Sequence, residues 1–335
     1  MSDAFALLVF LPPDYPSVQL ELDSSTTSFV GEAEQLFKNR EHLGIFDSLS
    51  IGERLRVTDR GRLVLSCRDD SEPNVINSKT KTRLKWRVHW AWRAALLVES
   101  DAPLDGDGWI FTGMCASKGD AGTPVLQGIS ATARESGVAR PFFLSSREYN
   151  EAYRRQRHSI DRSSWHAEWL GFDRRLCELV DGNSMPRIMH VALTAEEVAL
   201  SRRELDFRIP DFVRTAECIL ALPPGSGSQV FADRALRIAP ELRKHWYVGG
   251  PKIEDDLRDL YKRRNQCVHG KIPFEDLQNA GKGGRDRAAR EEYLAMDLAR
   301  RSIVAALEAT STHEVFREGR AALERAWNEG TFPRG

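Results

Sequence analysis

Arg264, Asn265 and His269 fall within the run Arg264-Asn265-Gln266-Cys267-Val268-His269. A guanidinium and an imidazole held near one anion are the groups that cleavage of RNA by its own 2′-hydroxyl asks for. Histidine has a reference pKa near 6.5, so it can take the 2′-OH proton or give one to the leaving 5′-oxygen. Arginine can hold the phosphorane's growing negative charge through two parallel hydrogen bonds. The scheme requires no metal, and no carboxylate cluster in the sequence suggests one.

The element that must carry these groups is a helix over 252–269, closed by Gly270. At 100° per residue, Ile253, Leu257, Leu260, Tyr261, Cys267 and Val268 fall within about 120° of arc. Arg264 lies in the middle of that apolar stripe. Arginine is almost never fully buried unless paired, so it needs a carboxylate partner or must face a cleft or interface that accepts an anion. His269 stands at the helix's negative end, which favours imidazolium by ~0.3–1 kcal/mol. Asn265, one turn earlier, is placed to hydrogen-bond His269. Further helices are expected at 163–181, at 194–207 from a capping box at Thr194 to Glu197, at 210–222 and at 228–239. A polar loop over 271–284 then leads to helices at 285–309 and 312–328.

Leu260-Tyr261-Lys262-Arg263-Arg264-Asn265-Gln266-Cys267-Val268-His269-Gly270 resembles the R-N-x-x-x-H-G motif of HEPN domains, most nearly the Apea-like group. Ile209 to Glu217 resembles that family's first core helix, and Phe231 to Leu236 its second. The resemblance covers about 130 residues (roughly 195–328) and does not reach the N-terminal part. It implies a metal-independent endoribonuclease, without cofactor, active as a homodimer whose two motifs face each other across a composite cleft. Arg264 and His269 would be catalytic, Asn265 supporting, with Glu217 and Arg234 as further supporting residues. Proteins of this kind are similar to toxins and antiphage-defence effectors, with RNA as substrate and an antitoxin or defence protein as partner. Glu217 lies on its own helix's apolar stripe with Val213, Ala216 and Leu220, and is expected to pair with Arg234 or Arg264. The alternative is a non-catalytic HEPN scaffold that dimerises while the N-terminal domain binds a partner or ligand. Nucleotide transfer or nucleotide binding in the same cleft is a third reading.

Composition narrows the classes. Forty-eight Lys and Arg against 49 Asp and Glu give a formal charge of −1. No global field draws the protein onto nucleic acid, so RNA contact must rest on a local patch. Cys67, Cys115, Cys177, Cys218 and Cys267 are scattered, and none forms a C-x-x-C pair. A disulfide framework and a zinc ribbon are both unsupported. An acid at Asp3, an apolar run stopped at Pro12-Pro13, and no stretch of ~18 apolar residues predict a cytoplasmic protein without a membrane partner.

The expected fold class is α+β: a β-rich N-terminal domain at 1–140, a helical connector at 141–190 and an all-α HEPN bundle at 191–335. Strands are expected at 4–11 and 17–22, with a hairpin of 55–58 and 62–67 about Asp59-Arg60-Gly61. The clearest strand is 84–93, where Leu84, Trp86, Val88, Trp90 and Trp92 alternate with Lys85, Arg87, His89 and Arg93. A helix at 31–43 and loops at 101–108 and 118–124 complete this part. The Trp ladder reads as core rather than a base-stacking platform. Arg154-Arg155-Gln156-Arg157 and Arg285/Arg287/Arg290 read as solvated surface with a secondary reading as phosphate contacts. Asp105-Gly106-Asp107-Gly108 lacks the downstream glutamate of a calcium loop.

Overall fold

The computed structural model describes backbone for six strands between residues 3 and 136 and for 162–181, 185–245, 252–310 and 315–332. It describes side chains for 167–169, 171–179, 185–243, 252–309 and 315–332, and for Trp90, Arg93, Ala94 and Leu97. The chain divides into two compact units, Met1–Phe142 with Arg162–Cys177, and Phe143–Asp161 with Glu178–Gly335.

In the first unit, strand backbone runs at β1 (Asp3–Phe10), β2 (Val18–Glu21), β3 (Thr26–Val30), β4 (Arg62–Asp69), β5 (Asp107–Ala116) and β6 (Val125–Ser136). Pairing is antiparallel in the order β2-β3-β4-β1-β5-β6. The expected hairpin partner of β4, 55–58, lies outside the described residues, as do the helix at 31–43, the loop at 118–124 and the runs Arg154 to Arg157 and Asp105-Gly106. Helix α1 (Arg162–Asp181) belongs to this unit through Cys177 and buries Trp169, Phe172 and Leu176 along one stripe.

The expected α+β class is corrected over the residues described with their side chains. From 167 to 330, the part described almost throughout with its side chains, all regular structure is helical and holds no strand, so the class that stands there is all-α. Of the segment expected as the clearest strand, 84–93, all but Trp90 and Arg93 lies outside the described residues; these two are helical, as are Ala94 and Leu97 beyond it. Their spacing i, i+3, i+4, i+7 is a helical stripe, and Arg93, Ala94 and Leu97 are buried. Alternation and helical spacing overlap across a Trp-rich run, and burial of Arg93, Ala94 and Leu97 fits the helical spacing.

The second unit is built on α2 (Arg187–Ser201), α3 (Leu205–Leu220), α4 (Ser228–Ile238), α5 (Leu242–His245), α6 (Ile253–Val268), α7 (Pro273–Asn279), α8 (Lys282–Thr310), α9 (Val315–Glu318) and α10 (Arg320–Asn328). Helix α3 packs on α2, α8 and α6, and α6 packs on α4. Ile209, Phe212, Val213, Ala216, Ile219 and Leu220 form the buried face of α3.

Several boundaries differ from expectation for local reasons. Thr194 does not cap a helix. Its hydroxyl donates back to His190 O at 2.8 Å inside α2, which begins after Pro186. Helix α3 starts five residues before Pro210, whose missing N–H removes only one early bond. The expected loop at 271–284 contains α7, with Pro273 in its first turn. The expected last helix is interrupted at Gly319, whose φ of 93° separates α9 from α10. Among the described residues no helix is long and apolar enough to cross a membrane.

Candidate active site

Helix α6 presents its buried residues at Ile253, Asp256, Leu257, Leu260 and Tyr261. The stripe stops there: Cys267 is half-buried and Val268 is 63% exposed. Arg264 lies at the margin between the packed and exposed halves of the helix. Its Nη2 donates to Glu217 of α3 in an ion pair, the two side chains being 20% and 16% exposed. Its Nη1 donates to Asn265 Oδ1 at 3.0 Å, its Nε is buried without a hydrogen-bond partner, and its guanidinium carbon stands 6.0 Å from the Tyr261 ring centroid.

Tyr261 completes the cluster. Its ring stacks on Phe231 of α4, with centroids 4.7 Å apart and planes 22° off parallel, and its hydroxyl is hydrogen-bonded to Glu217. Burial pushes the Glu217 carboxyl above its usual range, although Arg264 and the Tyr261 hydroxyl pull it down. Burial likewise raises the Tyr261 hydroxyl, and the Glu217 charge adds to the rise. The helices α3, α4 and α6 thus converge on one polar cluster, Glu217–Arg264–Asn265–Tyr261, with Phe231 of α4 stacked on its phenol. Glu217, Arg264 and Asn265 stand out in the sequence; Tyr261 reads there only as part of the stripe, because nothing in a sequence shows where a phenol points.

Of the two partners expected for Glu217, the structure selects Arg264. Arg234 takes another task. Its Nη1 donates to Leu220 O at 2.7 Å and Ala221 O at 2.8 Å, its Nη2 donates to Asn328 Oδ1 at 2.8 Å, and it lies 5.2 Å from the Trp327 ring centre. It therefore closes the C-terminal end of α3, where Ala221 adopts the left-handed conformation.

His269 is the C-cap of α6 and its side chain is exposed. Gly270 follows with a φ of 78°. Gly270 N–H donates to Cys267 O at 2.9 Å and Lys271 N–H to Gln266 O at 3.0 Å, the paired bonds of a Schellman end. Asn265 faces Arg264, and among the described residues neither it nor Arg264 is hydrogen-bonded to the His269 ring. Five residues of helix set Arg264 and His269 about 140° apart around the axis, so a single chain points the one into the packed cluster and the other to the outside.

Around this end, Cys267 Sγ–H donates to Asp206 Oδ1 at 3.4 Å. Burial, then the Asp206 charge, pushes the Cys267 thiol up to about 12, which leaves it an unreactive thiol near neutral pH. Arg263 forms a two-pronged pair with Glu291 at 2.7 and 2.6 Å. Arg287, expected at a solvated surface, bonds Asp259 at 2.8 Å and Glu291 at 3.1 Å, so its charge is matched within the protein. Among the described residues no group of three or more His, Cys, Asp and Glu is placed to hold a metal ion. Phe207, Val268 and Ile272 are the large apolar residues exposed near this end of α3 and α6. Comparison of the chain with family models, with curated proteins and with solved structures returns no match in any of the three.

Proposed function

We propose that the helical unit is a metal-independent endoribonuclease of HEPN type that acts as a homodimer, in the manner of a toxin or antiphage-defence effector. The observation that carries this reading is the position of Arg264: a largely buried guanidinium in a polar cluster among apolar neighbours, five residues before an exposed imidazole at the same helix's end. In one chain the two side chains diverge, which is why the reading calls for two copies. A second α6 across a two-fold axis can bring His269 of one copy to Arg264 of the other. Exposed Val268 and Ile272 beside His269 give such an interface its apolar part. His269 takes the proton from the 2′-hydroxyl, the 2′-oxygen bonds to phosphorus, and the bond from phosphorus to the 5′-oxygen breaks as that oxygen takes the proton from the imidazolium so formed. Arg264 faces the charge on the phosphoryl oxygens.

The test is incubation of purified protein with RNA in EDTA, wild type beside His269→Ala and Arg264→Ala. Fragments ending in 2′,3′-cyclic phosphate from the wild type, and none from His269→Ala, support the reading. Cleavage that EDTA abolishes, or that His269→Ala retains, refutes it.

A specific observation favours a second reading, a dimerising scaffold without catalysis. Arg264 already has its charge matched by Glu217 in the same chain, so a phosphate must compete for it. A protein that is dimeric by light scattering yet leaves RNA intact supports the scaffold.

A further inference from the structure

His269 lies in an exposed segment whose two ends, rather than its own packing, meet the rest of the helical unit. Val268, His269, Gly270, Lys271 and Ile272 are all exposed, and the His269 ring has no hydrogen bond among the described residues. Packing therefore does not fix this segment, and its position depends on its two ends. On the helix side, the Schellman bonds of Gly270 and Lys271 tie it to α6. On both sides stands a single buried carboxylate from another helix. Asp206, in the first turn of α3 and only 9% exposed, accepts from Cys267 Sγ–H at 3.4 Å just before the segment. It also accepts the N–H of Phe274 at 2.9 Å on Oδ1 and the N–H of Glu275 at 2.8 Å on Oδ2 just after it.

We propose that Asp206 is a positioning residue for His269, pinning both ends of the 268–273 segment to α3 so that the imidazole is presented at a fixed place. The inference rests on the ribonuclease reading for its catalytic consequence, whereas the pinning itself does not. Buried carboxylates that accept backbone N–H groups are strong anchors, because the bonds are charge-assisted and water is excluded. The two bonds from Phe274 and Glu275 N–H also explain why the short helix α7 begins where it does. The carboxylate supplies the acceptors that the first N–H groups of α7 lack within their own helix. The thiol bond adds a reporter, since Cys267 is held protonated by burial and by this neighbour.

The full chain is tested as Asp206→Ala and Asp206→Asn, the latter keeping one acceptor oxygen in case the alanine variant does not fold. Hydrogen–deuterium exchange of peptides spanning 268–275 and peptide-mapped alkylation of Cys267 by iodoacetamide read the pinning without any RNA. Steady-state cleavage reads its consequence. In Asp206→Ala, exchange over 268–275 accelerates and Cys267 alkylates at least about tenfold faster, as the thiol returns toward its ordinary range. The kcat for cleavage falls by up to about 100-fold with KM nearly unchanged, because misplacement by ~1 Å costs that much. Asp206→Asn falls between wild type and alanine in all three readouts. Unchanged exchange and alkylation in both variants overturns the pinning. Faster exchange with unaltered kcat overturns the positioning role and leaves Asp206 a helix cap. A wild-type protein that leaves RNA uncut removes the ribonuclease reading and any catalytic role for Asp206, while exchange and alkylation still decide the pinning.

Discussion

Removing Arg264 should destabilise the helical unit mainly through what it leaves behind. Arg264→Ala strands Glu217, whose side chain is 16% exposed, with the Tyr261 hydroxyl as its chief partner. Breaking a fully buried ion pair by deleting one member costs about 3–5 kcal/mol. Partial exposure of both groups and the surviving phenol bond reduce that to about 2–3 kcal/mol at pH 7. The effect is read by urea denaturation of four proteins: wild type, Glu217→Gln, Arg264→Ala and the double variant. With the charge gone in Glu217→Gln, the alanine at 264 strands only a neutral amide, so the double variant should be less destabilised than the sum of the singles by about 1.5–2.5 kcal/mol.

The pH dependence has a definite sign. The Glu217 carboxyl is held above its ordinary value of 4.5 by burial, so the folded state binds this proton more tightly than the unfolded chain. The carboxyl's contribution is therefore most favourable below 4.5 and is lost as pH rises through the raised folded value. Loss of the Arg264 charge raises the folded value further and widens that window. The penalty in Arg264→Ala should thus shrink as the pH is lowered from 7 toward 5, and no such trend should remain in the double variant. Additivity of the single variants to within about 0.5 kcal/mol, or a penalty independent of pH, would refute this account of the cluster.

Other outcomes follow from single contacts. Arg234→Ala uncaps the carbonyls of Leu220 and Ala221, drops the bond to Asn328 and removes the cation over Trp327. It should cost about 2–4 kcal/mol in denaturant melts, and Arg234→Lys should restore less than half because an ammonium lacks the planar fork. Gly270→Ala meets no atom within 4 Å, so its cost is backbone strain alone at a φ of 78°. That cost should be about 1–2 kcal/mol, with Gly270→Asn less destabilising. Equal stability of the two Gly270 variants would show that the Schellman end is not what holds the turn.

What could be read from the sequence was local. The apolar spacing of 253–261 fixed the face of α6, Gly270 fixed its end, and an arginine amid that stripe required a partner. Glu217 on an apolar stripe required one as well, and the two needs met. The tertiary structure decided whatever depended on residues far apart in the chain. It assigned Glu217 to Arg264 and turned Arg234 to the end of α3, since a carboxylate on a helix face cannot specify which distant cation reaches it. It placed Asp206 against a helix about seventy positions away, a bond between elements that no spacing encodes. It made Trp90, Arg93, Ala94 and Leu97 helical although the run before them alternates, because two periodicities coexist there and only burial distinguishes them. It also set Arg264 inward and His269 outward. Spacing along a helix gives the angle between two side chains, but the packing of the other helices determines which of them meets solvent.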